Sequence, residues 1–275
     1  MYSINTLPER PEKALTGEWF SKHCDSVMAG HAAGDVSSKY TFVPTYGLIQ
    51  LMEQEGWFPI SANQQRTRKE EYEGLTKHVV RLTHYDNFLK PPQERFDVIL
   101  TNSHNRTSGV SIMAGYYRLV CSNGMVVGEE LCGERIRHSG KTAEDYIGAV
   151  FEVVNMADEV QYHADAMKQL QLTDDQRMFF GHKALEFLDV KNKPTASQII
   201  QPRRNVDIGN DIWRTFQVTQ ENMIKGGIYL GRDEETGRRK TSRRVKDINK
   251  DQKINKKLWS LAEEFYAAKE QGLLN

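Results

Sequence analysis

The sequence predicts an α+β fold: an antiparallel sheet of about five strands backed by a long helix, followed by a helical C-terminal part. Three observations carry this expectation. Apolar residues alternate with period two between residues 57 and 138, the spacing of half-buried strands. Beyond Gly140 they recur at helical spacing instead. Strands come first and helices after, without the βαβ alternation that a doubly wound nucleotide-binding sheet needs. The chain accordingly divides into an irregular N-terminal arm over 1–40, an α+β core over 41–190 and a helical C-terminal region over 191–275 with a basic loop at 231–257.

Each element has a local reason. The arm holds Pro8, Pro11, Gly17, Gly30 and Gly34 without sustained periodicity, so at most a short helix is expected there. Thr45 reads as an N-cap for YGLIQLMEQEG, in which Leu48, Leu51 and Met52 share a face and Gly56 supplies the stop. The strands are WFPISANQQR, KHVVRLTHY, FDVILTN, SIMAGYYRLVCSN and a segment ending GERIRH, parted by Gly, Pro, Asn or Ser clusters. Alternation faces Val79 away from Val80 and Leu82, and sets Ile112, Ala114, Tyr116, Arg118 and Val120 on one side. One face is partly polar, so one side of the sheet is expected to meet solvent or a ligand. In the turn TNSHNRTSG, Asn102, Ser103 and Asn105 suit Asx-type geometry and Gly109 relieves strain, while Asn123-Gly124 signals a hairpin.

Thr142, Glu144 and Asp145 open a helix over about 143–170, with Ile147, Val150, Phe151, Val154, Met167 and Leu170 as its stripe. Thr173 with Gln176 forms a capping-box pattern for a helix through Leu188, broken by Lys193 and Pro194. Asn210 or Asp211 caps DIWRTFQVTQENMIK, which stops at Gly226 and Gly227. The polar stretch GRDEETGRRKTSRRVKDINKDQK then reads as a loop before a last helix, KKLWSLAEEFYAAKEQG, ending at Gly272.

Composition excludes several classes. With 275 residues and 39% hydrophobic side chains, the chain has enough apolar material for a core. It has no run of about eighteen apolar residues and its first residues carry no secretory pattern, so no membrane partner and a cytoplasmic location are expected. Cys24, Cys121 and Cys132 form no CxxC or Cys/His metal spacing, which suits reduced thiols.

The 37 basic and 37 acidic side chains cancel overall, but their signs are segregated. Residues 238–257 hold ten Lys or Arg against two Asp, whereas residues 129–189 hold thirteen acids against six bases. A solvated surface, or neutralisation within or between subunits, explains such a split as well as function does. The functional reading is phosphate binding by Arg238, Arg239, Lys240, Arg243 and Arg244, tracking a polyanion without reading its sequence. A second cluster falls on the predicted sheet: Arg66, Arg68, Lys69, Lys77, Arg81, Arg106, Arg118, Arg135 and Arg137. Tyr72 lies among these cations, as do Tyr85, Tyr116 and Tyr117, the candidates for base stacking. Cations for phosphates and π faces for unpaired bases are what single-stranded nucleic acid requires, although ordinary exposed sheet faces share the mixture.

Catalysis has weaker support. His78, His84, His104 and His138 show no helical metal-ligand spacing, and Cys121 ends an apolar strand as a small hydrophobe would. Asp97, Glu129, Glu130 and Glu134 lack a nuclease spacing, and no dinucleotide or P-loop glycine motif is present. No cofactor or metal is expected.

Taken together, the blocks YTFVPT, GWFPISANQQR, KHVVRL, LTNSHNRTSG, MAGYYRLVCSNGMVVG with RIRHSG, NDIWRTFQVTQENMIKGG and INKKLWSLA resemble the phage and plasmid family catalogued as domain of unknown function 932. The resemblance implies association with prophages and mobile elements, and it transfers no functional residue. A sheet backed by a long helix with basic and aromatic strands is also similar, at the level of fold, to phage single-strand annealing recombinases, which form rings or filaments around a basic groove. The expected function is therefore a non-enzymatic, homo-oligomeric protein that binds single-stranded DNA in recombination. Two alternatives stay open: a counter-defence or regulatory factor that docks on a host protein, and a metal-dependent nuclease using the strand acids and His104.

Overall fold

A computed structural model describes residues 10–34, 40–89, 94–118, 125–126, 135–136, 148, 151–190 and 192–274. The chain forms two compact units: Met1–Val120 with Leu131–Ala157, and Cys121–Glu130 with Asp158–Asn275. The architecture is α+β.

In the first unit, α1 (Gly17–His23) starts where the Thr16 hydroxyl accepts from the Trp19 amide at 3.2 Å. Among the described residues of the N-terminal stretch, this short helix is followed by a 3-10 turn (Asp25–Met28) and joined by irregular chain. Phe20, Cys24 and Val27 are fully buried, and the Leu15 amide donates to the Pro59 carbonyl at 2.7 Å. Full burial of such side chains stabilises by about 1.5–3 kcal/mol each, which offsets the ordering of this segment. In α2 (Thr45–Gln54), Leu48, Ile49 and Met52 are buried, and Gly56 ends the turn at φ +83°. Thr45 is not its cap. The cap position is Pro44, and the Thr45 hydroxyl points instead into a buried polar cluster.

Strands β1 (Trp57–Gln64), β2 (His78–His84), β3 (Glu94–Asn102) and β4 (Val110–Arg118) are successive antiparallel neighbours, with the short α3 (Asp86–Leu89) between β2 and β3. Pro59 sits in edge strand β1, where a missing amide costs least. Two further strands, β5 (Met125–Val126) and β6 (Arg135–Ile136), are two residues long, and β6 pairs with β4. The sheet centre is covered on both faces. Val98, Ile99 and Leu100 on β3, and Ile112, Met113 and Ala114 on β4, are all buried, so successive residues of opposite facing avoid solvent alike. The expectation of an open, partly polar sheet face is overturned there.

The turn after β3 is tied by its own side chains. The Asn102 Oδ1 accepts from the Ser103 amide at 2.7 Å, and Asn105 Oδ1 accepts from the Thr107 hydroxyl at 2.7 Å. The left-handed residue is Arg106, at φ +67°, rather than Gly109. Asn123-Gly124 lies outside the described residues.

The expected long helix is interrupted. Residues 151–155 are helical, Met156 is a turn, and α4 (Ala157–Gln169) follows; residues 143–147 lie outside the described part. In the second unit, α5 (Asp174–Leu185) opens on the predicted capping box, with both reciprocal bonds between Thr173 and Gln176 formed. After the one-turn α6 (Ala196–Ile199), Asp211 caps α7 (Ile212–Lys225) through the Arg214 amide at 2.7 Å. A hairpin of β7 (Tyr229–Arg232) and β8 (Arg239–Thr241) leads to α8 (Ile248–Glu270). Trp213, Phe216 and Trp259 form the ring cluster between α7 and α8, with centroids 5.6 to 6.2 Å apart.

Polar groups inside this unit are mostly paired. Arg204 reaches both Glu221 and Asp207, Arg203 donates to Asn222 Oδ1 at 2.6 Å, and Gln220 Nε2 donates to Asn255 Oδ1 at 2.9 Å. Removing one member of such a network strands a buried charge or amide, so it fixes how α7 meets its neighbours.

Candidate nucleic-acid interface

The structure separates the candidate cations into those that are occupied within the fold and those that reach solvent. On the sheet, Lys77 is only 4% exposed. Arg81 is half-buried, with its Nε 3.3 Å from Asp97 Oδ2, and Arg95 Nε approaches the same oxygen at 3.1 Å. Asp97 is fully buried, and burial pushes its carboxyl above the ordinary value although both guanidiniums pull it down. Arg81 thus faces a buried carboxylate. Among the described residues, no group of three or more His, Cys, Asp or Glu could hold a metal ion.

Arg66, Arg68 and Lys69 are exposed beside a depression of about 280 Å³, but Asp25, Glu70 and Glu73 line it too. Lys69 also approaches Glu71 at 3.6 Å and lies over the Tyr72 ring at 5.0 Å. The charges there balance. Arg106 is exposed at its turn. Tyr85 is half-buried against Phe58, with centroids 6.2 Å apart. The side chains of Tyr116, Tyr117, Arg118 and Arg135, and all of Arg137, Cys121, Cys132, His138, Glu129, Glu130 and Glu134, lie outside the described residues. His78 and His104 are fully buried, and Cys24 is a buried thiol that desolvation pushes up to about 12.

The second cluster is differently built. The sequence stretch expected as a loop over 231–257 is a hairpin followed by the first turns of α8. Asp233 shapes the hairpin tip: its Oδ1 accepts from the Thr236 amide and hydroxyl at 2.9 Å each, and Lys240 Nζ lies 3.0 Å from its Oδ2. These bonds, led by the Thr236 amide, hold the Asp233 carboxyl well below the usual range. Gly237, at φ +64°, closes the turn. Arg239 stacks over the Tyr229 ring at 5.1 Å. Lys240 is thus engaged, while Arg238, Arg239, Arg243 and Arg244 are exposed.

Behind the hairpin, Gly227 donates to the Ser242 carbonyl at 2.8 Å and Val245 to the Ile224 carbonyl at 2.9 Å. These bonds seat the chain against α7, so the arginines are carried on a fixed support. Asp247 then caps α8 through the Lys250 amide at 2.9 Å. Helical spacing divides α8 cleanly: Ile254, Leu258, Trp259, Leu261 and Phe265 are buried, whereas Asn249, Lys250, Lys253, Lys257 and Ser260 are exposed. Asp251 is the exception to the basic character. Burial pushes its carboxyl up to about 6, and the Arg244 guanidinium opposes that rise.

One side of this basic face is a groove. A hollow of about 470 Å³ lies between Phe187, just past α5, and Lys253, Lys256 and Lys257 of α8. It borders a second hollow of about 420 Å³ that shares Phe187 and Lys257 and adds Phe179. Lys257 Nζ stands 5.2 Å above the Phe187 ring and Lys183 Nζ 5.8 Å above Phe179, contacts worth about 0.5–1 kcal/mol at exposed sites. Phe179 is 51% exposed.

Sequence reasoning counted the α8 lysines as charge but missed them as a helical face, and it missed Phe179 and Phe187 altogether. Ile248, Ile254, Leu258 and Phe265 offered a periodic signal for extending α8 backward. The two phenylalanines offered none, because what sets them apart is the neighbouring helix.

A family model described as "Domain of unknown function (DUF932)" matches residues 32–259. Two relatives from Escherichia coli (strain K12), UPF0380 protein YafZ and UPF0380 protein YfjQ, are respectively 36% and 35% identical over 256 residues. Each comparison covers 92% of this chain and 92% of the relative. No solved structure matches the chain.

Proposed function

The chain belongs to the DUF932 family, and from that premise we propose that it is a non-enzymatic single-stranded DNA-binding protein whose principal phosphate-binding surface is the hairpin and basic face of α8. One observation carries the reading: Arg238, Arg239, Arg243, Arg244, Lys250 and Lys253 are exposed on a supported hairpin and helix. Such cations release counterions when they meet phosphates, which supplies affinity without sequence readout. The first-unit cations contribute less in this reading, since Lys77 and Arg81 are withdrawn and the Arg66 loop is balanced by acids. Neutralising strand repulsion also suits pairing of complementary strands in a recombination reaction of a mobile element, with the protein acting as an oligomer in the cytoplasm.

The test is fluorescence anisotropy with labelled oligothymidylate across a salt series. Six phosphate contacts on a single strand correspond to a log–log slope of about −4, so affinity falls roughly 300-fold between about 50 and 200 mM salt. Replacing Arg243, Lys250 and Lys253 together by Gln is expected to flatten the slope by about 2. Absence of binding at the low-salt end sinks the proposal.

A further inference from the structure

Resting on that reading, we infer that the groove between Phe187 and α8 is a nucleobase subsite, in which Phe187 stacks an unpaired base while Lys253 and Lys256 hold the phosphates on either side. A hollow of about 470 Å³ falls in the range of small-ligand pockets, and the adjoining hollow of about 420 Å³ gives the strand a continuation past Phe179. Electrostatics narrow the occupant. The first hollow presents Lys253, Lys256 and Lys257 against the single acid Glu264, with Asn249 and Ser260 as neutral hydrogen-bonding groups. An apolar peptide would leave the three lysines without a partner, and an acidic face of a second copy would leave the aromatic floor without one, whereas a nucleotide uses both halves.

The ring is already serving as a π platform. Lys257 lies over it at 5.2 Å on a flexible four-carbon stem, on the exposed face of α8. A base that takes this position displaces the ammonium, which moves to a phosphate and keeps its electrostatic partner. Stacking is tolerant of base identity because every base has a π face, so the subsite adds affinity for unpaired bases without adding sequence preference.

The experiment compares oligothymidylate with an abasic strand of equal length, which keeps the phosphates and lacks the bases. The full chain is expected to prefer the base-bearing strand about tenfold, equivalent to about 1.4 kcal/mol. Phe187→Leu, which keeps apolar bulk, is expected to abolish the preference and leave the salt slope unchanged. Phe187→Trp is expected to retain the preference. Equal binding of both strands by the unsubstituted chain overturns the subsite while leaving the phosphate-binding function standing. A preference that survives in Phe187→Leu places stacking elsewhere and also overturns it. Binding of neither strand removes both readings together.

Discussion

The residue with the most determined surroundings is His78. Its Nδ1 lies 2.9 Å from the Thr76 carbonyl, which only accepts, so Nδ1 carries a proton. Its Nε2 lies 2.8 Å from the Thr45 hydroxyl, and that hydroxyl accepts from Asn102 Nδ2 at 2.9 Å. The simplest assignment that satisfies all three groups is a neutral imidazole receiving the Thr45 proton at Nε2. Burial pushes the same way, lowering the histidine from 6.5 to about 4, with the Thr76 bond opposing. Because the folded value lies below the unfolded one, the unfolded chain takes up the proton first on acidification. Stability from this residue is full above about pH 6.5 and declines as pH falls toward 4, by about 3 kcal/mol in total. Urea unfolding in half-unit steps through that window checks it, with His78→Gln expected to flatten the difference. A parent curve that stays level relative to the variant refutes a neutral, buried His78. This cluster also shows why Thr45 misled. A threonine at a helix start reads as a cap because local geometry is all that sequence spacing conveys, but here partners 33 and 57 positions away compete for the hydroxyl and win.

At the scale of elements, what was legible had a local cause. The Thr173–Gln176 capping box, the Asp211 cap and the glycine stops are short-range chemistry, and they form as expected. What was not legible depended on packing. The N-terminal helix α1 holds few periodic residues, yet Phe20 is wholly buried. Within the candidate interface, the alternation on β2 sets half-buried Val79 and Arg81 against buried Val80 and Leu82 but does not convey that Arg81 would turn to a buried Asp97. The hairpin was hidden by its polarity, since a solvated two-stranded ribbon has no buried face to impose an apolar alternation. Its decisive residue is Gly226, at φ +64° and ψ −150°, a region essentially confined to glycine and costing about 1–3 kcal/mol otherwise. A Cβ there would stand 2.6 Å from the Arg243 carbonyl carbon. Gly226→Ala is therefore expected to destabilise the chain by about 2 kcal/mol or more and to weaken oligothymidylate binding by displacing Arg243. Thermal unfolding read beside the anisotropy titration checks both. An unchanged midpoint contradicts the close backbone approach.

For the whole molecule, equal numbers of basic and acidic side chains leave no net field to draw in a polyanion from a distance. The Debye length is about 10 Å at 0.1 M salt, so what a partner meets is the local excess of eight positive charges over residues 238–257. The same segregation offers a contact between copies. Residues 129–189 carry seven more acids than bases, and a chain with both an acidic and a basic stretch can bring the first of one copy to the second of another. Where that contact is head-to-tail, it propagates into rings or filaments instead of stopping at a two-fold dimer. Because those of the charges that lie among the described residues are largely exposed, each such pair contributes little and is screened by salt. Sedimentation velocity is expected to show an average mass that rises with protein concentration at about 20 mM salt and a constant mass at about 500 mM, where the Debye length has shrunk below about 5 Å. Oligothymidylate occupies the basic face in this scheme, so adding it at low salt is expected to dissolve the copy-to-copy association before it builds any assembly along the strand. A mass that stays constant from low to high salt without DNA removes charge-driven assembly, and a low-salt assembly that ignores the oligonucleotide assigns its contacts to a surface other than the hairpin and α8.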